Sequence, residues 1–205
     1  TDGHGLPAIY RVAAFGGIPV KILDGAHDRI SLSPDDKQIS FIRCNYTPED
    51  NCSLFIADAD GTNESKLFSK PAPILVDNNQ FAPDGRSIAV TYRELVSGSP
   101  SCRIALVDIA TGAETEIGQE RFFDIKSLQW LPSGDTLLFT VRDYEDGRIS
   151  IWKTPVAGGE PEILSKDAST YRDLSLDKKG ERMIATQIEN DFQIYVGTER
   201  EQKLL

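Results

Sequence analysis

The chain has 205 residues, with 22 Lys and Arg against 32 Asp and Glu, and a formal net charge of −10. We expect no nucleic-acid partner, because phosphate backbones are captured mainly by clustered Lys and Arg. We also expect no membrane insertion by this segment, since no apolar run approaches the roughly 20 residues that cross a bilayer.

Taken in chain order, the sequence shows one pattern three times. The clear copies occupy residues 33–41, 82–90 and 131–139. Their prolines, Pro34, Pro83 and Pro132, are evenly spaced, since 83 − 34 = 49 and 132 − 83 = 49. A fourth copy, 175–185, has lost the proline and has an extra turn residue. Self-similarity at a fixed period of this length indicates a repeat architecture.

A second repeated element alternates with the first, and it consists of an apolar run followed by a Gly-containing turn. Its copies occupy residues 9–17, 54–61, 104–112, 151–159 and 192–197. The chain therefore starts and ends in the same phase of the repeat.

Each unit divides into four short runs rich in Val, Ile, Leu, Phe and Thr. In the first full unit the runs are 30–33, 38–44, 53–58 and 65–68. Such runs, bounded by Gly, Pro, Asn and Asp, are typical of strands joined by tight turns. No stretch combines a helical period with helix caps.

The repeat predicts an all-β fold, a β-propeller of four-stranded antiparallel blades. The middle runs 88–92 and 137–141 are apolar at consecutive positions, as expected for a sheet covered on both faces. A sandwich or barrel, which would alternate more strictly, is the second choice.

We expect one propeller domain over residues 1–205, with blade units 1–27 (partial), 28–77, 78–123, 124–169 and 170–205. Dividing 205 by 49 gives about 4.2 units, so the chain forms either part of a larger propeller or a small closed one. An open propeller would expose a sheet face and edge, which predicts a homodimer through the open blade edges.

Catalytic residues are not expected. A serine hydrolase needs an activated Ser, a His base and a carboxylate, commonly with a Gly-x-Ser-x-Gly elbow, and the sequence contains no such elbow. The histidines are His4 and His27, both in polar loop sequence near the N-terminus. We interpret them as loop residues.

Neither a metal site nor a cofactor is expected. Residues 58–61 resemble the start of a calcium loop, but its twelfth position, which should be Glu, is Ser69. The acidic loop 143–147 could hold a cation at a blade edge. A simple turn is the favoured interpretation of both.

The cysteines are Cys44, Cys52 and Cys102. Cys44 ends one predicted strand and Cys52 precedes the next, so the two face each other across the neck of a hairpin. Cross-strand neighbours are close enough for a disulfide after slight adjustment, and we expect one here, with free thiols as the alternative. Cys102 has no evident partner and is expected to be a buried or edge thiol.

Trp130 and Trp152 align with apolar residues of other units and are predicted to be structural. The candidate binding residues are expected at one end of the propeller, where one blade connects to the next and the second strands end. We predict a ligand- or partner-binding face that carries His27, Arg93, Phe122, Phe123, Arg142, Asp143, Tyr171 and Arg172. The alternative for its charged members is surface ion pairing of little energetic value.

The pattern of 82–90 and the Asp-Ala-Asp-Gly turn of 58–61 together resemble the TolB-like propeller repeat, a relative of the WD-type repeat. The variants 9–19 and 151–161, each with a Gly-Gly-x-Pro turn, are similar to propellers of bacterial receptor-type serine/threonine kinases and CadC-like regulators. This resemblance covers nearly the whole chain.

The resemblance implies a non-enzymatic module that binds a ligand or protein, as the sensor of a bacterial membrane-anchored signalling protein. It also implies an extracytoplasmic location, with which a disulfide would agree. Two alternatives remain: the substrate-gating propeller of a prolyl-oligopeptidase-like peptidase, and a self-associating scaffold.

Overall fold

The structure of the protein is a computed structural model, which describes residues 7–27, 29–45, 47–49, 51–189, 195–198 and 201–204. His4 lies outside the described residues. Within this part of the chain, no helix is long and apolar enough to cross a membrane.

The regular elements of the described residues are β-strands, as the short turn-bounded runs predict. In chain order they are β1 (Ala8–Arg11), β2 (Val20–Asp24), β3 (Ile30–Leu32), β4 (Gln38–Cys44), β5 (Cys52–Asp58), β6 (Ser65–Lys70), β7 (Leu75–Phe81), β8 (Ser87–Val96), β9 (Ser99–Asp108), β10 (Glu114–Phe122), β11 (Asp124–Trp130), β12 (Thr136–Arg142), β13 (Ile149–Pro155), β14 (Glu162–Ile163), β15 (Thr170–Leu176), β16 (Met183–Ile188), β17 (Tyr195–Thr198) and β18 (Glu201–Leu204).

Consecutive strands pair antiparallel to form separate sheets. Strands β3–β6 form blade 1, β7–β10 form blade 2 and β11–β14 form blade 3. The pair β1–β2 forms an N-terminal half-blade, β15–β16 forms a C-terminal half-blade, and β17 pairs with β18. The predicted all-β propeller of four-stranded antiparallel blades is confirmed.

The first strand of blade 2 starts inside the predicted unit 28–77. Leu75 and Val76 already pair with Arg93 and Tyr92 of β8, so β7 begins at Leu75. The sheets of blade 3 and of the C-terminal half-blade begin at Asp124 and Thr170.

The repeated Pro-containing motif forms the turn between the first two strands of each blade. The N–H of Gly85 donates to the carbonyl of Ala82, and the N–H of Gly134 donates to that of Leu131, both at 2.9 Å. In the fourth copy, which lacks the proline, the equivalent hydrogen bond runs from the N–H of Gly180 to the carbonyl of Asp177 at 3.0 Å. The loss of the proline therefore leaves this turn in place.

The core lies between the blades, because the second strand of each blade is covered on both faces. In blade 2, Ile88 and Val90 pack in a cluster with blade 1, whereas Ala89 packs in a cluster with blade 3. In blade 3, Leu137 and Phe139 face blade 2, and Leu138 faces the C-terminal half-blade. Successive strand residues point to opposite faces, so a doubly covered strand needs a continuous apolar run.

Hydrogen bonds between adjacent inner strands fix the blades around a central channel. The Asn79 amide donates to the Arg29 carbonyl at 2.9 Å, and the buried Trp130 indole N–H donates to the Gln80 carbonyl at 3.1 Å. Trp130 is therefore a core residue, as predicted. The inner strands β3, β7, β11 and β15 enclose a space of about 290 Å³.

Candidate functional site

Irregularities in the inner strands place charged residues at one end of the channel. The pairing register shifts between Val76 and Asn78 in β7, and between Ile125 and Ser127 in β11. In β15 it shifts between Tyr171 and Leu174. An extra residue in one strand re-aims its side chain, and such bulges are common next to functional sites. The residues at these shifts are Asp77, Lys126, Arg172 and Asp173.

The second strands end at the same place, opposite these bulges. Asp77 of β7 accepts two hydrogen bonds from Arg93 at the end of β8, at 2.7 and 3.2 Å. Asp124 pairs with Arg142 at the end of β12 in the sheet register. We call this end of the channel, where the inner strands begin and the second strands end, the channel-mouth face.

A first cavity on this face, of about 350 Å³, opens between blades 1 and 2. It contains His27 and Arg93 from the predicted binding face, together with Asp77 and Asp124. The hydrogen bond to Asp77 raises the pKa of the Arg93 guanidinium above its ordinary value. Arg93 is therefore held by an internal ion pair while it lines the cavity.

A second cavity, of about 490 Å³, lies between blade 3 and the C-terminal half-blade. It contains the predicted residues Arg142 and Arg172, and it is also lined by Arg29 and Lys126. Arg29 lines the first cavity and the channel as well, so these spaces share a wall.

A third cavity, of about 340 Å³, contains Phe122, Phe123, Arg142 and Asp143 of the predicted face, and it is also lined by Tyr144 and Trp152. The Phe122 ring packs edge-on against Phe139 and Trp152, with centroid distances of 5.1 and 5.5 Å, so it also belongs to the core. Phe123 packs against the exposed Tyr144 at 5.1 Å.

Tyr171 lies apart from the three cavities. Its hydroxyl donates to Asp167 at 2.7 Å, and the side chain packs against the cluster of Leu138, Ile151 and Leu174. Most residues of the predicted face lie at neighbouring loops and strand ends, and they are divided among three adjoining cavities.

Sequence reasoning missed Arg29, which precedes β3, and the inner-strand residues Asp77, Lys126 and Asp173. A signal was present for two of them, because Asp77 and Lys126 are 126 − 77 = 49 residues apart, which is one repeat. The sequence alone does not show which side chains of these strands face the channel, so it does not single out these polar residues.

The cysteines lie near the channel-mouth face, at equivalent pairing positions of the second and third strands. Cys44 pairs with Cys52 across β4 and β5, Arg93 with Cys102 across β8 and β9, and Arg142 with Ile149 in blade 3. Cys44 and Cys52 form a disulfide, with their Cα atoms 4.0 Å apart. Cys102 is a buried free thiol.

The loops that resemble metal sites are closed turns. Asp58 accepts hydrogen bonds from Thr62 and Asn63, and Asp143 accepts from the backbone N–H groups of residues 145 and 146. Within the described residues, no three His, Cys, Asp or Glu side chains are grouped to hold a metal ion.

Comparison with known proteins identifies the fold. No family model matches the chain. Putative TolB from Agrobacterium tumefaciens superposes with a TM-score of 0.69 at 18% identity, covering 91% of this chain and 65% of that one. TolB from Acinetobacter baumannii gives a TM-score of 0.62 at 15% identity, over 90% and 49% of the two chains. The fold is that of the TolB-like β-propellers.

Peptidases are also similar to this propeller. Dipeptidyl-peptidase 5 of Porphyromonas gingivalis is 22% identical over 164 residues, 77% of this chain. The acylaminoacyl peptidase of Pyrococcus horikoshii gives a TM-score of 0.62 at 17% identity, over 96% of this chain and 34% of that one. This propeller spans 23% of the Porphyromonas protein and 65% of the Agrobacterium TolB.

Proposed function

We propose that this TolB-like propeller is a non-enzymatic module that binds a ligand or a protein partner at the channel-mouth face. The observation that carries the proposal is that the inner-strand bulges and the ends of the second strands surround adjoining polar cavities on one face. Such a module works by rigid presentation of side chains from a scaffold.

The finer role that we propose is the sensor or interaction domain of a bacterial membrane-anchored signalling protein. The Cys44–Cys52 disulfide supports an extracytoplasmic location, because disulfides persist mainly in oxidising compartments. The similarity of its Gly-Gly-x-Pro units to propellers of receptor kinases and CadC-like regulators supports the signalling role by analogy alone.

A second candidate is the gating propeller of a peptidase, and the similarity to two peptidases favours it. Labelling of source-cell extracts with a fluorophosphonate probe separates the two. A peptidase propeller would be part of a polypeptide that an antibody against this chain detects and that the probe labels on serine. A sensor propeller would be detected by the antibody and not labelled.

Backbone NMR of the 15N-labelled protein tests the binding face. The probes are blocked dipeptides, a neutral monosaccharide and small carboxylates. We expect amide shifts near Arg93, Arg142 and Arg172, and none at the turn 83–86 on the opposite face. Shifts confined to the opposite turns, or no shifts with any probe, would contradict the proposal.

A further inference from the structure

We propose that the cavity between blade 3 and the C-terminal half-blade binds an oxyanion, a carboxylate or phosphate group of a ligand, through Arg29, Arg142 and Arg172. This inference rests on the proposed function and names the chemical class of ligand at the channel-mouth face. The cavity volume of about 490 Å³ is in the range of small-ligand sites.

The three arginines have no ion pair within the described part of the chain, although acidic residues outnumber basic ones. Several other arginines form ion pairs with carboxylates. Arg43 contacts Glu64 at 2.7 Å, and Arg103 contacts Glu94 at 2.7 Å. In a chain of net charge −10, unmatched guanidinium groups that converge on one cavity indicate a position for an external anion.

The remaining charges of the lining leave the cavity positive. Lys126 already pairs with Asp124. Asp173 is the carboxylate among the described lining residues, against the three arginines. A bound anion would therefore reduce the repulsion between the guanidinium groups, whereas a neutral ligand would not.

The fold brings the three arginines together in one cavity from separate elements of the chain. Arg29 precedes β3, Arg142 ends β12, and Arg172 lies at the bulge of β15. The Thr140 hydroxyl donates to the Arg172 carbonyl at 3.2 Å, which ties the bulge to blade 3. The arrangement is preorganised at the backbone, so anion binding orders only the side chains.

The Arg142 guanidinium lies over the β12–β13 hairpin, beside Gly147. Gly147 follows the tip of the β12–β13 hairpin, and a methyl group added there would lie 3.8 Å from Nη2 of Arg142. The buried side chain of Ile149 forms an apolar wall. An apolar wall strengthens charge-assisted hydrogen bonds, and a guanidinium binds carboxylate or phosphate through two parallel N–H donors.

Isothermal titration calorimetry at low ionic strength tests the inference, with tricarballylate and inorganic phosphate as the probes. We expect Arg142→Gln and Arg172→Gln each to weaken binding at least about tenfold, the loss of a charge-assisted hydrogen bond. The matched control is Arg86→Gln, the same charge change at an exposed turn on the opposite face, and it should alter the affinity less than about twofold.

The two probes distinguish the source of the anion. Tighter binding of tricarballylate assigns the site to carboxylates, tighter binding of phosphate assigns it to phosphorylated ligands, and equal binding supports the oxyanion class. Unfolding midpoints of all variants should be unchanged, because the arginines are exposed.

Failure has two forms that the NMR probes separate. If neutral probes shift the channel-mouth amides and neither anion binds, the anion site is wrong and the proposed function stands. If no probe shifts that face, both are wrong. If Arg86→Gln weakens anion binding as much as Arg142→Gln or Arg172→Gln, the affinity depends only on net charge and the inference is wrong.

Discussion

At the scale of single residues, Cys102 is a thiol that the fold protects. It is buried, its S–H points to the Phe123 carbonyl at 3.5 Å, and burial raises its pKa to about 11. Alkylation requires the thiolate, so we expect iodoacetamide to modify the folded protein at pH 8 roughly 100-fold more slowly than the urea-unfolded protein. Intact mass against time measures both rates, and equal rates would contradict the burial of this thiol.

The same raised pKa predicts the sign of a pH effect. The contribution of Cys102 to the free energy of unfolding is complete below the ordinary thiol pKa of 9.0. It is lost as the pH rises towards about 11, because only the unfolded chain then ionises freely.

The Cys44–Cys52 disulfide closes a short loop, with a sequence separation of 8. The double variant Cys44→Ser, Cys52→Ser should lower the free energy of unfolding by about 2.5 kcal/mol, the chain-entropy value for such a loop. Urea unfolding with and without reductant measures this. Reductant should destabilise the wild type and leave the double variant unchanged, and a wild type indifferent to reductant would show that the thiols are free.

At the scale of elements, the turns that join inner and second strands stack from blade to blade. A methyl group added at Gly134 would lie 3.8 Å from Cδ of Pro83, but one added at Gly180 would lie 2.6 Å from Cδ of Pro132. Both glycines have positive φ, 76° and 71°.

This difference predicts unequal costs for the same substitution. Gly134→Ala should cost about 1 kcal/mol through backbone strain alone. Gly180→Ala should cost at least about 1 kcal/mol more, because Pro132 must also move. Urea unfolding curves of the two variants measure the difference, and equal costs would mean that the last turn does not pack on blade 3.

The elements could be predicted from the sequence and the site only partly, for a physical reason. Strand position follows from the repeat, because Pro34, Pro83 and Pro132 fix the turn and the apolar runs fix the buried strands. Which inner-strand residues reach the channel depends on bulges such as those at Asp77 and Lys126. A bulge arises from pairing between strands, so a single strand's pattern does not reveal it.

At the scale of the whole molecule, charge is distributed unevenly between the two ends. Carboxylates of the turns opposite the channel mouth are used within those turns: Ser33 donates to Asp35, and Thr62 donates to Asp60. These hydrogen bonds lower the pKa of both carboxyl groups. The channel mouth instead brings Arg29, Arg142 and Arg172 to one cavity, so an anion would be attracted to that end.

The two half-blades expose apolar side chains on the outside of the described structure. Phe15 and Ile18 are almost fully exposed between β1 and β2, and Ile184 is mostly exposed in β16. We expect these surfaces to pair two copies of the chain at high concentration. Light scattering over a concentration series measures this. A double variant Phe15→Asp, Ile18→Asp should shift the equilibrium to monomer, and a wild type that stays monomeric throughout would contradict the expectation.

A crystal structure of the protein grown with tricarballylate is the decisive test of the anion site at the channel-mouth face. We expect a carboxylate at the channel-mouth face, against the guanidinium groups of Arg29, Arg142 and Arg172. A ligand bound only at the turns of the opposite face, or an empty channel mouth at a concentration that saturates binding in solution, would contradict it.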